Sequence, residues 1–167
     1  MWSVYILVTT DLKYSYCGAT KDFQNRFRQH CGEICNGAVY TTNLVKAGYN
    51  WRPLVVISGF SNQREALQME LCQKQKMDKY RNTNLTASAK SLIKTVQDFK
   101  HKRIRNLTQA LMLDKWTSNS IDSRLVSLRI YWYDIREMPS NWKAILPPHL
   151  KDHCSYNWVD SGLRVEH

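Results

Sequence analysis

The stretch from Ser3 to Gly18 constrains this chain most. Two β-prone runs, Ser3-Val-Tyr-Ile-Leu-Val8 and Tyr14-Ser-Tyr-Cys-Gly18, flank the polar connection Thr9-Thr-Asp-Leu-Lys13. Short Val-, Ile- and Tyr-rich runs on either side of a polar link predict a hairpin whose strands lie side by side in a sheet. Tyr5 and Tyr16 then fall close together, one on each strand. Taken alone, such a pair reads as cross-strand aromatic packing.

Charge narrows the choice. The 167 residues carry a formal charge of +10, which points to a polyanionic partner such as nucleic acid. Residues 1–80 hold ten basic and six acidic side chains, 81–110 seven and one, and 111–167 seven of each. The excess is local, as a binding surface requires. Val4–Val8 is too short for a signal peptide, Asp11 follows at once, and no apolar run reaches membrane-spanning length. Five irregularly spaced cysteines fit reduced thiols in cytosol or nucleus.

Beyond the hairpin, Asp22 is placed to cap a helix over Phe23–Cys31, with Phe23, Phe27 and Cys31 on its apolar side and Arg26 and His30 adjacent on its polar side. Residues 32–52 read as a long loop bearing Tyr40, Thr41, Thr42 and Lys46, types suited to phosphate and base contacts. Leu54–Ser58 reads as a buried strand. A helix capped by Ser61 or Asn62 follows, with Ala66, Leu67 and Met69–Leu71 in its apolar run toward Met77. Inside that run Glu70 stands out, because a carboxylate there must be paired or hold a cation. A second helical stretch, Leu85–Leu113, carries Lys90, Lys94, Lys100, Lys102, Arg103 and Arg105 opposite its apolar stripe. Leu125–Tyr133 alternates as a half-exposed strand should, with Arg129, Tyr131 and Tyr133 outward, and the segment after Met138 shows no period.

Ser3-Val4-Tyr5, Tyr16-Cys17-Gly18, Arg26, His30 and Glu70, in that order, resemble the GIY-YIG nuclease superfamily. Closer likeness is to the catalytic subunit of Slx-type structure-selective endonucleases. It rests on Arg26-Phe-Arg-Gln-His30, Gly37-Ala38 with Thr41 or Thr42, Gly59-Phe60, and Ala66-Leu-Gln-Met-Glu70 followed by Gln73. The specific likeness covers residues 3–76. Ser3 and Cys17 depart from the usual motif at positions that shape backbone. The last fifty residues hold only Cys154, with His149 and His153, too few ligands for the zinc-binding RING-like domain through which Slx-type subunits hold a scaffold partner. The expectation is a self-sufficient relative, of the kind viruses and mobile elements encode, that does not depend on that scaffold.

The resemblance implies an α+β fold: a small antiparallel sheet of three or more strands flanked by helices, then a mainly helical region with an additional strand. Residues 1–80 would form the nuclease domain, and 81–167 a basic helical extension and an irregular C-terminal segment packed on it. It also implies a metal-dependent endodeoxyribonuclease for branched or flapped DNA in repair, recombination or replication. Glu70 would hold one Mg2+ or Mn2+, and magnesium, which keeps most of its waters, is content with a single protein carboxylate. Arg26 would stabilise the scissile phosphate, its loss costing about a hundred- to a thousand-fold in rate. Tyr5 and Tyr16 would orient water and phosphate, with Tyr5, Tyr16 or His30 as general base. Arg28, Thr41, Thr42, Lys46, Lys90, Lys94, Lys102, Arg103 and Arg105 are the expected nucleic-acid contacts. The alternatives are a sequence-specific or homing-type nuclease, and a catalytically silent module that binds without cutting.

Overall fold

The computed structural model describes residues 1–74, 102–138, 142, 146–147, 150 and 157–158. Strands β1 (Trp2–Thr9) and β2 (Ser15–Thr20) form the expected hairpin, with Tyr5 opposite Gly18 and Leu7 opposite Tyr16. Helices α1 (Phe23–His30) and α2 (Val39–Lys46) follow, then β3 (Trp51–Phe60), α3 (Gln63–Lys74), α4 (Lys102–Leu111), β4 (Arg129–Trp132) and the two-residue β5 (Asn157–Trp158). The sheet order is β2-β1-β3-β4-β5; the first four strands are antiparallel and β5 joins β4 in parallel. This is the expected α+β architecture.

β1 lies between β2 and β3 and is buried from Ser3 to Thr9 because both faces of the sheet are covered. Val4, Ile6, Val8, Cys17, Val55 and Ile57 point to one side, where Ala66 and Met69 of α3 and Leu107 and Leu111 of α4 meet them. Tyr5, Leu7, Val56 and Tyr131 point to the other, beneath Phe23 and Phe27 of α1. The pairing of β1 with β3 slips by one residue between Ile6 and Leu7. Leu54 and Val55 consequently share a face, as two residues opposite one partner do at a bulge. Pro53 falls just beyond that slip, where a strand tolerates a missing N–H, and β3 runs on to Trp51.

Four expectations are corrected here. The supposed loop 32–52 contains α2, whose Val- and Thr-rich sequence carries no helical stripe. In α3 the buried residues are Ala66, Met69, Cys72 and Gln73, whereas Leu67 and Leu71 are exposed on the opposite flank. The fourth strand is shorter than Leu125–Tyr133. Tyr131 is also buried, because it packs into the cluster with Phe23 and Phe27. The stripe of residues 85–99, with Lys90, Lys94 and Lys100, lies outside the described residues, as do His149, His153 and Cys154.

Candidate active site

Tyr5 and Tyr16 project from the hairpin onto the face covered by α1, with ring centroids 6.3 Å apart. Gly18, opposite Tyr5, makes room for it: a Cβ there would stand 2.4 Å from the Tyr5 hydroxyl. The motif glycine is therefore the floor on which the first tyrosine lies, while Cys17 points to the other side of the sheet, where its thiol donates to Gln73 Oε1, 3.3 Å.

α1 brings Arg26 and His30. Asp22 starts the helix by accepting from the Asn25 N–H, 3.0 Å. His30, at the last turn, is not on a solvated face but fully buried, its ring centroid 4.7 Å from that of Tyr16. Its two nitrogens complete a chain of hydrogen bonds. Nε2 lies 2.7 Å from the Tyr5 hydroxyl and Nδ1 lies 2.7 Å from Thr41 Oγ1. The Thr41 hydroxyl donates to the Ala38 carbonyl, 2.9 Å, so it accepts from Nδ1–H and leaves the Nε2 lone pair to the Tyr5 O–H. Burial, and secondarily Arg26, push the His30 pKa down to about 4, which keeps the ring neutral and able to accept. Burial raises the Tyr5 phenol above its usual range, against the opposing hydrogen bond of Arg26.

Arg26 is half-buried and fixed by two acceptors, Gln29 Oε1 at 2.6 Å and the Asn36 carbonyl at 3.0 Å, both bonded to Nη1. Burial works against its charge, but the phenols of Tyr5 and Tyr16 more than offset this and its pKa stays raised. Neither Gln29 nor Asn36 figures among the sequence candidates. Gln29 was findable as the residue three after Arg26 on one helix face; a backbone carbonyl leaves no sequence signal.

Glu70 stands apart from the tyrosines, because α3 packs on the opposite face of the sheet. Its carboxylate pairs with Lys74, whose ammonium lies 5.8 Å from the centroid of the Tyr16 ring. A partly shielded carboxylate that already carries an ammonium can carry a metal ion. Were Glu70 to hold a divalent ion, no group of three or more His, Cys, Asp or Glu among the described residues could share it, and water or substrate oxygens would fill its remaining positions, as magnesium allows.

The expected nucleic-acid contacts separate. Thr41 is buried, and its hydroxyl serves His30 in place of DNA. Thr42 Oγ1 donates to the Ala38 carbonyl, 3.1 Å. Arg28 is exposed and paired with Glu33, and Lys46 and Lys102 are exposed. Arg103 donates to Ser15 Oγ, 3.2 Å, tying α4 to the edge strand, and Arg105 is half-buried. Tyr40, at the start of α2, is exposed and stacks on Tyr16 with centroids 6.4 Å apart.

Comparison with known proteins agrees with this geometry. The model of the GIY-YIG catalytic domain matches residues 1–84. Structure-specific endonuclease subunit SLX1 homolog 1 of Trypanosoma cruzi is 40% identical over 72 residues, 41% of this chain and 13% of that protein. The SLX1 homolog of Leishmania infantum is 38% identical over 72 residues, 10% of its length. Structure-specific endonuclease subunit SLX1 of Debaryomyces hansenii is 37% identical over 71 residues, 20% of its length. The matched stretch thus spans a fifth or less of these curated relatives.

Proposed function

The chain belongs to the GIY-YIG family, and on that footing we propose that it is a metal-dependent endodeoxyribonuclease selective for branched or flapped DNA. The observation that carries the reading is the chain Tyr5–His30–Thr41 with Arg26 held beside it. Phosphodiester hydrolysis needs a deprotonated water and relief of charge on the phosphorane-like transition state. Tyr5 Oη takes the water's proton as its own passes to His30 Nε2, and the Thr41 hydroxyl holds Nδ1–H so that Nε2 remains the acceptor. Arg26 binds the scissile phosphate and stabilises the negative charge that builds on its oxygens. Tyr16 borders the water's position and limits where the phosphate can sit. Glu70 would hold a magnesium or manganese ion, which when bound supplies electrostatic stabilisation of the phosphate and leaving oxygen.

The relatives' names specify structure as the substrate feature, and exposed Lys46 and Lys102, on helices that cover opposite faces of the sheet, suit phosphate contacts that read shape and not sequence. The test is cleavage of a flap, a fork, a four-way junction, a linear duplex and a single strand by the purified chain with magnesium. Preference for the branched substrates is expected, and cleavage by the chain alone would establish that no further subunit is needed. Arg26→Ala should lower the rate about a hundred- to a thousand-fold. Wild-type cleavage by Glu70→Ala refutes the assignment of that residue. DNA binding without cutting under any divalent ion refutes the enzyme.

A further inference from the structure

We propose that Lys74 is a resident counter-cation of the metal-binding carboxylate: a divalent ion that binds Glu70 does so in competition with the Lys74 ammonium, which lies beside Tyr16. The inference rests on the assignment of Glu70 as metal ligand made above.

Three observations carry it. The Glu70 side chain is 13% exposed and the Lys74 side chain 42%, so the carboxylate is the shielded partner and depends on the lysine for compensation. The acid precedes the base by four residues on one helix, the favourable order. The pair therefore forms with no ligand bound and meets any incoming ion as a competitor. Finally, the ammonium has somewhere to go. It lies 5.8 Å from the Tyr16 ring centroid on a flexible stem. Once released from Glu70 it can swing over that ring or toward a phosphate placed between Tyr16 and Arg26.

The ammonium occupies Glu70 Oε1, and a divalent ion on either oxygen of the same carboxylate lies close enough for the like charges to repel. Each therefore weakens the other's hold by the same factor. Pairs of this exposure are worth a few-fold in an equilibrium constant, so removal of the charge should tighten metal binding about three- to tenfold.

The experiment is titration of the full chain, without DNA, with Mn2+, following free ion by electron paramagnetic resonance; circular dichroism verifies the fold of each variant. Lys74→Gln should bind Mn2+ more tightly than the wild type, and Lys74→Arg, which keeps a cation, should stay close to wild type. Glu70→Gln should abolish the site, and adding Lys74→Gln to it should restore nothing. Lys74→Gln affinity equal to or weaker than wild type overturns the inference while leaving Glu70 as ligand, provided Glu70→Gln still abolishes binding. Unchanged binding in Glu70→Gln, or no binding in any variant, overturns both the inference and the ligand assignment on which it stands. Wild-type binding too weak to measure, with clear binding in Lys74→Gln, supports it.

Discussion

His30 is neutral in the folded state because its ring is sealed from water and sits near the Arg26 charge, which together lower its pKa from 6.5 to about 4. In the unfolded chain the same ring titrates normally. Between these values the unfolded state binds more protons, so stability rises with pH there. The contribution is fully present above the unfolded value and is lost as pH falls through the folded one. The difference amounts to about 3 kcal/mol. Denaturant unfolding of the wild type at pH 7 and pH 4.5 should show most of that loss. His30→Gln, which has no proton to gain, should flatten this part of the profile; an unchanged slope would mean that another group governs acid stability. Cleavage should likewise persist well below pH 6, since the Tyr5–Nε2 hydrogen bond survives until the ring protonates.

At the level of elements, α1 and the segment leading into α2 act as one clamp on Arg26. The contact is tight at Gly37, where a Cβ would stand 2.2 Å from the Gln29 carbonyl oxygen and 2.6 Å from Thr42 Cγ2. Gly37→Ala should push this segment off α1 and release Arg26 from the Asn36 carbonyl. Misplacement of a charged group by about 1 Å can cost a hundredfold in rate, whereas the overpacking itself should cost about 1–3 kcal/mol in stability. The expected result is a folded protein with DNA affinity near wild type and single-turnover cleavage slowed tenfold or more. Wild-type cleavage would show that the clamp does not set the guanidinium. Little of the clamp was legible in sequence. The hairpin announced itself through Val, Ile and Tyr around a polar link, and α1 through Phe23 and Phe27 after Asp22. α2 did not, because Val39, Tyr40, Thr41 and Thr42 present β-branched and aromatic side chains with no stripe at helical spacing. The identities of the site residues were readable in order, but their depth was not. His30 and Thr41 count as polar in any periodic pattern, and only their hydrogen bonds to each other, to Tyr5 and to Ala38 let them be buried.

For the molecule as a whole, the family match ends at residue 84 but the core does not. Ile104, Leu107, Leu111, Trp116 and Leu128 pack in the same cluster as Val4, Ile57 and Met69, and β4 continues the sheet from β3. Arg52 of β3 adds a polar tie, pairing with Asp134 at 2.7 Å beyond the end of β4. The hairpin that carries Tyr5 and Tyr16 therefore rests on a layer that later residues complete. Leu107 is fully buried in that layer, so Leu107→Ala removes apolar contact and leaves a cavity, a change worth about 2–5 kcal/mol. Were the later residues a separate folding unit, the variant would unfold in two steps, with the face bearing Tyr5 and Arg26 melting at the wild-type denaturant concentration. A shared core predicts instead one transition, with far-ultraviolet dichroism and tryptophan fluorescence coinciding and the midpoint lowered as a whole. Cleavage measured below that midpoint should stay near wild type, because Leu107 lies on the opposite face of the sheet from the Tyr5–His30 pair and reaches it only through stability.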